Sequence, residues 1–373
     1  MKETEIQNRS EPLIEQTLRS IPAVRDVRLK AELCLGHANV DFLVEVWMKG
    51  KPEGKGTAHH TLVVEVKANG QPRWARVAAD ELDRYLQQAA ESGYPHAYGI
   101  FVAPYVSEAA AEILSERGHG YLDLAGNGRL AFDGVYVERK GNPNPFSERS
   151  ELRTLFSPKA SRILRILLMY PYRPWRMAAL AEEANVSLGL VAKVKPLLLD
   201  RTWADETAQG LALSAPTAAL DAWGTAFQRR SNHILDFYSF GSTQEAEQRV
   251  AEAAEAVGAR YALAEFSGAE RLAPHVRYNR ASAYVEADAL EEVARHAGLR
   301  AVETGPNVRL FEPYDEGVFF GAREIGDIRV AHPIQLFLDL KIARGRGEEA
   351  AAFLRSQVIE PAWETSRDPV REA

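Results

Sequence analysis

The sequence predicts a multidomain protein that joins an α/β domain and an α+β domain through a small helical module. Three observations carry this reading. The chain has 373 residues, two to three times a typical domain. Helical stripes alternate with β-prone runs over the first 140 residues and again after residue 231, and a proline- and asparagine-rich stretch, Lys140-Gly141-Asn142-Pro143-Asn144-Pro145, marks a linker. The block between them is the only net-basic one. Residues 151–231 hold 11 basic and 7 acidic side chains, against 18 and 21 in residues 1–150 and 16 and 24 in residues 232–373. The boundaries read are 1–140, 151–215 and 231–363.

In the first block, Leu13, Ile14, Leu18 and Ile21 form a helical stripe from Pro12 to Ile21, closed by Pro22. Strands follow at Val27–Leu35 and Val40–Trp47, joined at Gly36-His37-Ala38-Asn39. The run from His60 to Ala68 is the most β-prone in the chain. Val77, Leu82, Tyr85, Leu86 and Ala89 make a second helix from Trp74 to Ala90. A strand (Ala97–Val102), a helix (Ser107–Glu116) and a strand (Gly120–Leu124) come next, and Asn127-Gly128 turns into Arg129–Glu138. The order is α-β-β-β-α-β, then further α and β.

In the second block, Ser157-Pro158 starts a helix to Met169, and Met177–Ala184 and Ser187–Leu199 supply two more, with Pro196 expected to kink or end the last. Leu211–Leu213 can pair with Thr202–Ala204. In the third block, strands are read at Phe237–Phe240, Tyr261–Phe266, Ala283–Glu286 and Asn307–Phe311. Helices are read at Gln244–Val257, Leu290–Ala297 and Pro333–Leu338, and Glu364–Ala373 as a frayed tail.

Apolar residues make up 46% and charged residues 26%, a globular balance that excludes wholesale disorder. A net charge of −7 excludes a generally cationic nucleic-acid coat, although phosphate binding needs only local positive charge. The single cysteine, Cys34, excludes an intramolecular disulfide. The polar start MKETEIQNRSEPLIEQ contains neither a signal-peptide core nor a membrane span, so a cytoplasmic protein is expected.

The sharpest chemical signal is Asp41 with Val63-Val64-Glu65-Val66-Lys67. Alternate side chains of a strand share a face, so Glu65 and Lys67 point together and away from Val64 and Val66. A hairpin can set Asp41 beside Glu65. Two carboxylates and a backbone carbonyl make a hard-oxygen site for Mg2+ or Mn2+, and the lysine can orient a water and stabilise charge on a phosphate. The plain alternative is a same-face ion pair on a solvated sheet. Arg73, Arg76 and Arg84, with Lys49, Lys51 and Lys55 of the hairpin loop, are candidate contacts to a DNA backbone. The nine histidines show no metal-ligand spacing.

On these residues, residues 10–138 resemble the PD-(D/E)xK nuclease superfamily, with its restriction-endonuclease-like αβββαβ core. The resemblance implies that Asp41 and Glu65 are the metal-binding acids and Lys67 the catalytic lysine. It also implies that Glu15 (or Glu11) is an additional metal ligand, and that Gln87 or Gln88 is the glutamine of the following helix. Val40 stands where many members have proline.

Residues 157–213 resemble a winged helix-turn-helix. Its recognition helix would start at Ser187 and present Ser187, Gly189, Lys193 and Lys195 to DNA, with a wing from Arg201 to Leu213. The whole arrangement resembles the AbiEi-type antitoxin and transcriptional regulators of type IV toxin–antitoxin systems, most of all in Pro333–Leu340 and Gly345–Ala351. That resemblance implies operator binding and control of a nucleotidyltransferase toxin partner. Phe240-Gly241-Ser242 is similar to a nucleotidyltransferase Gly-Ser turn, with Glu265 and Glu286 as stray acids, so the C-terminal domain could be a degenerate nucleotidyltransferase. Two functions follow: a metal-dependent deoxyribonuclease targeted by a winged helix, or an AbiEi-type regulator that binds DNA without cutting it. Two-strand cleavage would call for a homodimer.

Overall fold

A computed structural model describes residues 3–35, 38–49, 59–146, 154–227 and 234–367. Internal contacts group residues 1–150 with 200–202, and residues 151–199 with 203–373.

The first unit is built on a seven-stranded sheet in sequential order. Its elements are α1 (Glu3–Arg19), β1 (Val24–Leu35), β2 (Ala38–Met48), β3 (His59–Val66), α2 (Pro72–Glu91), β4 (Tyr98–Ala103), α3 (Glu108–Glu116), β5 (Gly120–Asp123), β6 (Gly128–Phe132) and β7 (Val135–Arg139). Strands β1 to β3 are antiparallel, β3, β4 and β5 run parallel, and β5 to β7 are antiparallel again. Alternation sorts the side chains. Phe42, Val44, Leu62 and Val64 pack with Ile14 and Leu18 of α1. Leu43 and Val63 meet Tyr85, Leu86 and Ala89 of α2.

Two elements differ from the sequence reading. Helix α1 begins at Glu3 and runs through Pro12. Ile6, Ser10, Ile14 and Leu18 continue one buried stripe, and the Ser10 hydroxyl donates to the Ile6 carbonyl at 2.8 Å. Pro12 itself is exposed, so its missing N–H leaves a solvated carbonyl. The run Arg129–Glu138 is two strands, because Asp133 and Gly134 both take positive φ (43° and 78°) and reverse the chain.

The second unit opens with α4 (Pro158–Met169), α5 (Met177–Glu183) and α6 (Leu188–Asp200), a hairpin of β8 (Ala204–Thr207) and β9 (Gly210–Leu213), and α7 (Pro216–Ala226). A mixed seven-stranded sheet follows: β10 (Ile234–Tyr238), β11 (Tyr261–Leu263), β12 (Ala281–Val285), β13 (Arg300–Ala301), β14 (Val308–Phe311), β15 (Arg323–Ile325) and β16 (Ile328–Val330). Its strand order is β13-β10-β14-β12-β11-β16-β15. The helices around it are α8 (Thr243–Val257), α9 (Glu265–Glu270), α10 (Leu290–His296), α11 (Pro333–Lys341), α12 (Gly347–Leu354) and α13 (Glu360–Arg367). One hydrophobic cluster runs from Leu155 to Trp363, so segments 151–215 and 231–363 share a core.

Pro196 does not end α6; it sits exposed inside the helix, which is held by buried Val191, Val194 and Leu198. The strand expected at Tyr261–Phe266 stops at Leu263, because Glu265 adopts φ 47° and starts α9. The expected tail is helical to Arg367, and residues 368–373 lie outside the described residues. No helix among the described residues is long and apolar enough to cross a membrane.

Candidate functional site

The register of β2 on β3 pairs Phe42 with Val64, and one step further sets Asp41 across from Glu65. Here the ladder changes character. The Val66 N–H donates to Asp41 Oδ2 at 2.7 Å, and Asp41 Oδ1 accepts from Gln7 Nε2 of α1 at 2.6 Å. Glu65, at 5% exposure, lies on the side of the sheet that faces α2. Lys67, just past the strand, forms ion pairs with Glu65 and with Glu81 Oε2 of α2, the latter at 2.7 Å. The structure therefore brings Asp41, Glu65 and Lys67 together, and it adds Gln7, Glu81 and Tyr85.

Glu15 pairs instead with Arg19, at 2.9 Å, two helical turns beyond Gln7. Glu11 is exposed. Of the two glutamines on α2, Gln87 is exposed, whereas Gln88 carries a buried side-chain oxygen without a hydrogen-bond partner among the described residues.

The electrostatics follow from burial. Desolvation first, then the charges of Asp41 and Glu81, push the Glu65 carboxyl up to about 7 against the pull of Lys67. Burial opposes the charge on Lys67, yet hydrogen bonds and charges from Glu65 and Glu81 hold its pKa above the usual lysine value. Burial and the same two carboxylates push Tyr85 up to about 12. One ammonium faces three carboxylates, so the cluster is short of positive charge. Asp41 and Glu65 carry the hard oxygen donors that magnesium and manganese take, a pair that leaves the remaining positions to water. Among the described residues, no group of three or more His, Cys, Asp and Glu side chains is placed to hold a metal.

Arg73, Arg76 and Arg84 project from the exposed face of α2, the first 5.7 Å from the Trp74 ring. Lys49 is exposed at the end of β2; Lys51 and Lys55, His37 and the Cys34 side chain lie outside the described residues. His60 pairs with Asp133 Oδ2 at 2.6 Å and the His59 ring lies tilted 5.3 Å from that of Trp47, so neither joins Asp41 and Glu65.

In the second unit, Ser187 caps α6 by accepting the Leu190 N–H at 3.3 Å. Ser187, Gly189 and Lys193 are exposed, opposite buried Val191, Val194 and Leu198. Lys195 is turned into an ion pair with Glu206 of β8. Two arginines of α4 tie this part to the rest of the unit. Arg162 makes a fork to Asp315 (2.7 and 2.6 Å), bonds Glu316, and donates to the Asn185 carbonyl at 3.1 Å. Arg165, 1% exposed, donates to Gln335 Oε1 at 2.8 Å and Tyr314 at 3.1 Å, and lies 5.1 Å from the Trp223 ring. Gln335 and Tyr284 in turn donate to Asp339 Oδ1, at 2.8 and 2.7 Å. The sequence predicts a helix over Pro333–Leu338 but not this network, whose signal is two polar residues four apart, Gln335 and Asp339.

The Gly-Ser turn residues find local partners. Ser242 and Glu245 form a capping box on α8, Glu265 accepts from Ser282 Oγ at 3.0 Å, and Glu286 pairs with Arg260 at 2.8 Å.

Comparison with known proteins adds the following. No curated protein matches the chain. Among solved structures, the complex of EndoMS with double-stranded DNA is 20% identical (32% of this chain, 44% of that one, TM-score 0.23). A repair endonuclease from Pyrococcus abyssi is 20% identical (33% and 48%, TM-score 0.24), and EndoMS in its apo form 19% (33% and 46%, TM-score 0.22). The chain spans less than half the length of each. The segment that carries the Arg165 network's C-terminal half, residues 212–360, matches the family described as transcriptional regulator, AbiEi antitoxin, type IV toxin–antitoxin system.

Proposed function

We propose that the chain is a DNA-binding transcriptional regulator of the AbiEi antitoxin kind, acting on operator DNA and on the output of a paired toxin. The single observation behind this reading is the family match over residues 212–360, a segment that shares its core with the three helices and hairpin ahead of it. Those helices and the hairpin are read as a winged helix-turn-helix. In this reading α6 enters the major groove by its N-terminal half, where Ser187, Gly189 and Lys193 are exposed, and β8–β9 is the wing. Lys195 serves the wing through Glu206 rather than the groove. Gel shift and fluorescence anisotropy with the protein's own promoter fragment test this. Lys193→Ala should weaken binding severalfold and lower the salt slope by about 0.9. Promoter binding that is absent in the wild-type chain overturns the reading.

The convergence of Asp41, Glu65 and Lys67 favours a second reading of the first unit, as a restriction-endonuclease-like core that hydrolyses DNA. Asp41 and Glu65 would hold a magnesium or manganese ion, which when bound supplies an activated water and neutralises phosphate charge. Gln7 and the Val66 N–H orient Asp41, and Glu81 steadies the Lys67 ammonium that would meet the phosphate. The check is cleavage of plasmid and branched DNA with either metal. Wild-type nicking that Glu65→Ala and Lys67→Ala abolish supports it; an intact substrate leaves the regulator alone.

A further inference from the structure

On the sheet of the second unit, β10 leaves one face partly open. Its outward residues alternate: Ile234, Asp236, Tyr238 and, just past the strand, Phe240. Toward Ile234 this face runs under the cluster of Tyr284, Phe311 and Val318, since Ile234 pairs with Phe311. At the other end it is bare. Phe240 is 62% exposed and Tyr238 36%, and their rings meet edge to face at 5.1 Å and 89°.

Neighbouring strands supply positive charge. Arg300 of β13 is the register partner of Tyr238, is itself exposed, and lies 5.4 Å from the Phe240 ring. Arg309 of β14 sits across from Asp236 and grips its carboxylate at 2.7 and 2.8 Å. Arg280 lies close enough for its charge to act on Asp236 too, and its Nε is buried without a hydrogen-bond partner among the described residues. Arg309 and Arg280 thus share one aspartate and Arg300 lies against the Phe240 ring, on a C-terminal block with 24 acidic and 16 basic residues. The patch is held rigid: Arg249 donates to Ser239 Oγ at 2.7 Å and to the Phe240 carbonyl, and Ser242 caps the next helix.

Exposed rings beside arginines on an open sheet face match the chemistry of unpaired bases. A base stacks on an aromatic face, and a guanidinium meets the phosphate that follows. A duplex hides the faces of its bases, so it cannot use such a surface. We infer that Tyr238, Phe240 and Arg300 form a stacking platform for single-stranded RNA, separate from the exposed edge of α6.

Fluorescence anisotropy of a labelled twelve-residue oligouridine with the full chain tests this. The wild-type chain should bind in low salt, and a large excess of duplex promoter DNA should not displace the RNA. Tyr238→Ala and Phe240→Ala should each weaken binding about 5- to 100-fold. Arg300→Ala should lower the salt slope by about 0.7. All three side chains are solvent-facing, so the variants should unfold within a few degrees of the wild type. The inference is overturned if the wild type ignores the RNA or the aromatic variants bind it unchanged. It is also overturned if the deoxy strand binds tenfold more tightly, or if Phe240→Ala instead turns a dimer into a monomer by light scattering.

Discussion

Lowering the pH should destabilise the second unit through His332, whose Nδ1 caps α11 by accepting the Ile334 N–H at 3.2 Å. Burial first, then the charges of Arg165 and Arg323, push its pKa down to about 3. An unfolded histidine titrates near 6.5. Between those values the unfolded chain takes up a proton that the folded chain refuses, so stability is full above about pH 6.5 and falls as the pH drops towards 3. The slope is about 1.4 kcal/mol per pH unit once well below 6.5, which makes about 2 kcal/mol between pH 7.5 and pH 5.0. His332→Asn keeps an acceptor for the Ile334 N–H but cannot titrate. Urea denaturation of both proteins at the two pH values should therefore show the wild type losing about 2 kcal/mol more than the variant. Equal losses in the two proteins would refute the assignment of the acid sensitivity to this ring.

Removing Arg162 should be costly for a different reason. Arg162→Ala strands the carboxylate of Asp315, 7% exposed, and is expected to destabilise by about 3–5 kcal/mol in denaturant titration, with Arg162→Met/Asp315→Leu recovering much of the loss. Gly210 has φ 140°, and a Cβ there would lie 2.3 Å from the Trp175 carbonyl oxygen. Gly210→Ala should therefore lower the melting temperature and weaken promoter binding, by displacing the hairpin. Gly189 lies inside α6, where a Cβ meets nothing within 4 Å, so Gly189→Ala should raise stability by about 0.5–1 kcal/mol in the same titration.

Where one period dominated, the sequence was a good guide. The run His60–Ala68 lies over β3, and the stripe from Trp74 to Ala90 lies inside α2, because each is packed on a covered sheet that demands a regular pattern. Proline misled twice. Pro12 and Pro196 both sit on solvent faces of their helices, where packing of the opposite stripe outweighs one lost hydrogen bond. Asp133-Gly134 was a legible turn signal that a β-prone run on either side concealed. Helices α7 and α12 went unread, being short and alanine-rich with little contrast between faces, and the end of α13 was hidden in the stretch read as a tail from Glu364. At the candidate site, strand alternation was enough to align Asp41, Glu65 and Lys67. Gln7 and Glu81 escaped notice because only the packing of α1 and α2 on the sheet decides which of many helix-surface polar residues faces the cluster.

The two buried arginines of α4 bear on how this chain can be recombined with others. Asp315, Glu316 and Gln335 accept from Arg162 and Arg165, and the Trp363 indole donates to the Leu168 carbonyl at 2.8 Å. A graft that exchanged residues 158–213 for those of another protein, leaving the rest untouched, would cut every one of these ties and leave Asp315 and Glu316 without their guanidinium partner. If the proposed operator binding holds, changing its preference on this scaffold means replacing the exposed positions of α6 one at a time, or moving both halves together.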